Sequence, residues 1–295
     1  MAIDVTADGM PDSAAIGAER RQFLRTAGVA GFALAVQPVW AQQVVSTSAE
    51  GLVTGSSQVA ASDSAQLPLY FARPQAVTKP PVVLVVQEIF GIHEHIRDVC
   101  RRFAQAGYLA VAPELYFRQG DPAAVGSIQE ILERIVSRVP DAQVMADLDA
   151  CVAWAGQAGG DVARLTATGF CWGGRIIWLY AAHQPALRAG VAWYGRLSGT
   201  SGAMTPQHPL DLVGALKSPV LGLYGGQDQG IPNVEVASMR TALQQSPSEA
   251  ARRSDIVLYA DAQHGFHADY RRSYSRPDAM DAWQRCLAWM ARHSA

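Results

Sequence analysis

The chain has 295 residues, 49% of them hydrophobic and 17% charged, with a formal net charge of -2. This is the balance of a globular chain with enough apolar material for one sizeable core, and near-neutrality gives no support to nucleic acid or an anionic membrane surface as partner. Four cysteines, Cys100, Cys151, Cys171 and Cys286, show neither CxxC nor His/Cys ligand spacing, so no metal site is expected.

The amino terminus carries Arg20-Arg21 just ahead of Phe23-Leu24, followed by a weakly apolar stretch from Ala27 to about Val39. This pattern resembles a twin-arginine export signal, with the translocation machinery reading Arg20 and Arg21. Val39-Trp40-Ala41 suits a signal peptidase, so residues 1–41 are expected to be removed and the mature protein to be periplasmic. The apolar run is shorter than the ~20 residues that span a bilayer, so no stable membrane insertion is expected. Residues 42–66, rich in Ser, Ala and Val, read as a flexible tether with room for an edge strand around 50–54. An oxidising periplasm would permit a disulfide among Cys100, Cys151 and Cys286.

From residue 67 to 295 strand and helix patterns alternate. Pro81–Gln87 is a continuous apolar run, as in a strand buried on both faces. Residues 93–106 place Ile96, Val99, Cys100 and Phe103 three and four apart, which predicts an amphipathic helix. Strands are expected at 108–112, 165–170, 188–194, 219–224 and 255–259. Helices are expected at 124–138, 141–157, 174–182, 234–243 and 277–291. This order predicts an α/β fold, a mostly parallel sheet with helices on both faces and ligands beyond the carboxyl ends of the strands. Residues 119–140 and 197–210 are expected to roof that region.

Gly169-Phe170-Cys171-Trp172-Gly173 stands between a strand and a helix pattern. A Gly-x-nucleophile-x-Gly turn there is a nucleophile elbow, which exposes its middle side chain in a strained conformation. Here that residue is a thiol, which needs less activation than a hydroxyl. Asp228 follows the 219–224 strand, and His264 follows the 255–259 strand. The order nucleophile, acid, histidine is that of an α/β-hydrolase triad, with His264 exchanging the proton of Cys171 and Asp228 fixing its tautomer. Glu88 ends the 81–87 strand; partial burial would raise its pKa and let it take a proton from the thiol. The backbone N–H groups of Ile89 and Trp172 are the expected oxyanion hole.

Gln87-Glu-Ile-Phe-Gly91, Leu115-Tyr-Phe-Arg-Gln119, Gly169-Phe-Cys-Trp-Gly-Gly174, Gly225-Gly-Gln-Asp228 and His264-Gly-Phe266 together resemble the dienelactone hydrolase (carboxymethylenebutenolidase) family over about residues 65–293. The resemblance implies an α/β-hydrolase fold, a small-molecule ester or lactone substrate, no cofactor, and a Cys171-Asp228-His264 triad with Glu88 beside the thiol. It also implies Tyr116 and Arg118 as substrate contacts, with the Arg118 fork on a carboxylate. The family's second arginine lies four residues after the histidine, where this chain has Ala268; Arg271 stands near but out of register. His267 is expected to add a polar group to the lining. Export is an odd setting for intracellular aromatic degradation, which favours an unidentified ester or lactone over dienelactone itself. Two other readings are a non-catalytic periplasmic binding or stress protein on the same fold, and a peroxide-sensing thiol at Cys171.

Overall fold

The structure, a computed structural model, describes residues 46–295. The export signal read at 1–41 lies outside the described residues. Eight strands form one sheet in the order β1-β2-β4-β3-β5-β6-β7-β8. They are β1 Leu52–Ala60, β2 Gln66–Pro74, β3 Pro81–Val86, β4 Leu109–Pro113, β5 Asp161–Phe170, β6 Ala189–Trp193, β7 Val220–Gly225 and β8 Asp255–Tyr259. The pairs from β4 through β8 are parallel, whereas β1 pairs with β2, and β2 with β4, in antiparallel register.

The central strands are apolar without alternation because both faces are covered. Every residue of β4, β6 and β7 is buried, as are five of the six in β3. The covering helices are α1 Glu94–Gln105, α2 Ile128–Arg134, α3 Asp141–Gln157, α4 Trp172–His183, α5 Asn233–Gln245, α6 Glu249–Arg252 and α7 Arg276–Ser294. Helix α1 buries the expected stripe of Ile96, Val99, Cys100 and Phe103. Parallel crossovers with helices on both faces of such a sheet make this an α/β-hydrolase fold.

Two expectations need correction. The tether read over 42–66 is, in its described part, mostly strand: β1 pairs with β2 from Leu52↔Pro74 to Ala60↔Gln66. Its Gly and Ser residues hide the pattern, yet Gly55 has a packing reason. A Cβ there would stand 3.2 Å from the Phe71 ring. The helix read over 124–138 is broken into a 3-10 turn at Pro122–Ala124, helix α2, and a second turn at Val136–Arg138. Gly126 and Ser127 interrupt it, and Ser127 Oγ accepts from the Glu130 N–H at 3.2 Å, so the helix starts there.

The 195–208 loop is pinned across the sheet's carboxyl edge. Buried Arg175, in the first turn of α4, donates to both carboxylate oxygens of Asp141 at 2.7 Å and to the Gln207 carbonyl at 2.7 Å. All four cysteines are free and buried, so Cys100, Cys151 and Cys286 form no disulfide. Among the described residues, no helix is long and apolar enough to cross a membrane.

Candidate active site

Cys171 joins β5 to α4 with φ 55 and ψ -112, a left-handed conformation that costs a non-glycine residue about 1–3 kcal/mol. Its N–H donates to the Trp193 carbonyl at 3.0 Å, which locks the strained turn against β6. The flanking glycines serve close approach. A Cβ on Gly169 would meet the Gly173 carbonyl oxygen at 2.4 Å, and one on Gly173 would meet the carbonyls of Val86 and Gln87 at 2.5 Å. Helix α4 is thereby pressed onto the end of β3, where Glu88 and Ile89 follow. Trp172 is the first residue of α4, so its N–H belongs to the helix end that has no internal partner.

His264 and Asp228 come together as expected. His264 Nδ1 lies 2.7 Å from Asp228 Oδ2, with both side chains buried. The other carboxylate oxygen, Oδ1, accepts from Gly230 N–H at 2.7 Å and Ile231 N–H at 3.2 Å. Burial opposes a charged imidazole, but Asp228 and then the Cys171 sulfur outweigh it and carry the His264 pKa up to about 10. His264 is therefore a strong proton acceptor beside the thiol. Tyr116 also reaches the elbow: its ring packs on Trp172 at 4.9 Å, and burial, then Cys171, hold its phenol well above the usual range.

Glu88 reaches the site in a different state from the one expected. Its carboxylate is fully buried, yet Arg271 Nη2 donates to Oε1 at 3.1 Å and the Tyr270 hydroxyl donates to Oε2. His93 Nε2 stands 3.4 Å from the same Oε2. Burial pushes the pKa up, but Arg271 and then His93 win and hold it well below the carboxylate range. The raised-pKa base read from the sequence is corrected to a fixed anion. Burial lowers the His93 pKa, so its imidazole is neutral at pH 7.

Arg271 reaches Glu88 although it stands three residues past Ala268, the position of the family's second arginine. The segment after His264 winds into turns, with Ala268 N–H on the Gly265 carbonyl at 2.9 Å and Arg271 N–H on the Ala268 carbonyl at 2.9 Å. Winding brings the seventh residue after the histidine back to Glu88. The same segment is anchored from behind. Buried Asp269 pairs with Arg102 of α1 and with His95 Nδ1 at 3.2 Å, and against the cost of burial these hold its pKa down at about 2.

Two sequence readings are not met. Arg118 is committed elsewhere: it donates to Asp63 at 2.7 and 2.9 Å and to buried Asp147 at 2.7 and 3.0 Å, tying the β1–β2 turn to α3. Asp63 lies in the stretch read as tether, so no acidic partner was in view. His267 is enclosed by aromatic rings, with Trp193 at 4.4 Å, Phe170 at 5.4 Å and Trp283 at 5.9 Å. Burial keeps it neutral, as a core imidazole.

Tyr194 is a site residue the sequence reading passed over. It follows β6 with φ 38, its N–H on the Leu223 carbonyl at 2.8 Å and its ring edge-on to His264 at 5.0 Å. Its place at a strand's carboxyl end was the available signal. Arg196, two residues on, is a second mostly buried cation. Burial lowers its pKa, against the opposing pull of the Glu235 carboxylate.

Residues 67–294 match the family model described as Dienelactone hydrolase family. The chain is 54% identical over 275 residues to a Methylorubrum extorquens protein named "Putative carboxymethylenebutenolidase", covering 93% of each. An Escherichia coli K12 protein of the same name is 51% identical over 271 residues, 92% of this chain and 98% of that one. The crystal structure titled "Putative Dienelactone Hydrolase" from Klebsiella pneumoniae superposes with TM-score 0.79 at 53% identity, covering 82% of this chain and 99% of that one.

Proposed function

The chain belongs to the dienelactone hydrolase family, and from that premise we propose that it cleaves an ester or lactone bond through a Cys171 acyl-enzyme. The observation that carries this reading is the buried His264–Asp228 pair, 2.7 Å apart, set beside a thiol in a left-handed elbow. His264 takes the thiol proton, and the sulfur attacks the scissile carbonyl. The N–H groups of Ile89 and Trp172 receive the developing oxyanion, a contribution of about 3–4 kcal/mol for each donor. The tetrahedral adduct collapses to a thioester as the leaving oxygen takes the proton from the imidazolium. Water, giving its proton to His264, then attacks the thioester; the acid leaves and the thiol is restored. Asp228 orients the imidazole throughout and does not take the proton.

Glu88 has a supporting part in this scheme. It neutralises Arg271 and fixes the 264–272 segment, while His264 does the proton transfer. The test is turnover of p-nitrophenyl acetate and simple lactones by the wild type and by Cys171→Ser. A burst in the wild type that the variant lacks supports the acyl-thiol route; equal rates in both would sink it.

We propose also that Arg20 and Arg21 direct export by the twin-arginine route. Cell fractionation of the wild type and of Arg20→Lys/Arg21→Lys tests this, and equal periplasmic recovery would refute it.

A further inference from the structure

Among the described residues, besides the Tyr116 hydroxyl, two buried donors near Cys171 lack a hydrogen-bond partner in the protein: the Tyr194 hydroxyl and Arg271 Nη1. Both side chains are at least nine-tenths buried. A buried donor left unpaired costs about 1–3 kcal/mol, so a site that keeps two is built for an acceptor that arrives with the ligand. Their positions are fixed. Arg271 is held through Nε on the Tyr270 hydroxyl at 3.1 Å and Nη2 on Glu88 at 3.1 Å, which leaves Nη1 available. Tyr194 is wedged between Phe266 at 5.6 Å, Phe170 at 6.3 Å and the His264 ring at 5.0 Å. Burial keeps its phenol protonated, and Glu88, Arg271 and Cys171 are all within electrostatic reach of it.

The charges around this pair decide what the acceptor is. The Arg271 cation is already matched by the buried carboxylate of Glu88. Arg118 is matched by Asp63 and Asp147, and Arg196 has Glu235 as its acidic neighbour. His93 is neutral. An incoming carboxylate would meet Glu88 across the same guanidinium in a low-dielectric site, where like charges repel strongly. A neutral oxygen would take both hydrogen bonds without that repulsion.

We infer that Tyr194 Oη and Arg271 Nη1 form a two-donor slot for a neutral acceptor oxygen of the substrate, so that the enzyme selects uncharged lactones or esters carrying a second carbonyl or amide oxygen. This rests on the hydrolase reading above and departs from the carboxylate selection implied by the family resemblance.

The test uses an isosteric pair, 5-oxotetrahydrofuran-2-carboxamide and 5-oxotetrahydrofuran-2-carboxylate, with γ-butyrolactone as parent and p-nitrophenyl acetate as a check on the chemistry. The amide is expected to exceed both the acid and the parent in kcat/KM by about tenfold or more, as one or two hydrogen bonds allow. Tyr194→Phe removes only an unpartnered hydroxyl, so it should fold as the wild type does. It should bring the amide within a fewfold of the parent, chiefly through KM, a ratio in which any common change in turnover cancels. Preference for the acid over the amide, or an amide advantage that survives Tyr194→Phe, overturns the slot while a p-nitrophenyl acetate burst still upholds the hydrolase. No turnover of any compound overturns the hydrolase reading, and the slot with it.

Discussion

Arg271 and Glu88 form a fully buried ion pair, Nη2 to Oε1 at 3.1 Å, that joins the segment after His264 to the end of β3. Removing one member of such a pair leaves an uncompensated charge, at a cost of about 3–5 kcal/mol. Glu88→Gln is therefore expected to lower the denaturation midpoint sharply, with Arg271→Met in the same chain restoring much of the loss. Urea unfolding of the two single variants and the double variant checks this. A Glu88→Gln protein as stable as the wild type but devoid of turnover would instead return Glu88 to the role of thiol base.

His264 gives the protein a pH signature. Its pKa of about 10 in the folded state stands above the 6.5 of an unperturbed imidazole. The folded state thus binds the proton more tightly, and this stabilisation is complete below pH 6.5 and disappears as the pH rises from 6.5 to about 10. Asp228→Asn removes the principal charge that raises the pKa, so the slope of stability over that window should flatten. Urea midpoints at pH 6, 8 and 10 for both proteins measure it. In the same variant kcat is expected to fall by about four orders of magnitude, since the imidazole loses its orienting carboxylate.

The layout of the sheet was readable from apolar runs and spacing because β3, β4, β6 and β7 are buried on both faces and leave no competing pattern. Cys171, Asp228 and His264 were readable for a related reason. Each lies just past a parallel strand, where chain order alone predicts convergence. The states of Glu88 and Arg118 were hidden because they depend on partners 183 and 55 residues away, Arg271 and Asp63. Neither pairing leaves a periodic trace. Strand β1 was obscured by its Gly and Ser content, since an edge strand buries only part of one face.

Arg118 offers a direct contrast between structure and resemblance. Its guanidinium makes four hydrogen bonds to two aspartates, and Asp147 is buried while Asp63 is half exposed. Arg118→Ala should destabilise the protein by about 1.5–3 kcal/mol, chiefly by stranding Asp147. The ratio of kcat/KM for charged over neutral lactones should not change. Thermal unfolding together with that ratio decides the matter, and selective loss of the charged substrate would place Arg118 back in the binding site.

Gly173 links the elbow to the proposed oxyanion hole. It lies in the first turn of α4, where alanine would ordinarily favour the helix. Here a Cβ would stand 2.5 Å from the carbonyl oxygens of both Val86 and Gln87, and 2.9 Å from the Val86 carbonyl carbon. Those neighbours are backbone, so the clash has no flexible side chain to absorb it. Gly173→Ala must push α4 away from the end of β3, costing about 1–3 kcal/mol or more. That displacement separates the Trp172 N–H, on the helix, from the Ile89 N–H, beyond the strand. Loss of one aligned donor lowers kcat by about 10²–10³. Alkylation of Cys171 by iodoacetamide, which needs no oxyanion hole, should persist in the folded variant. A variant with wild-type kcat would show that the two N–H groups do not act together.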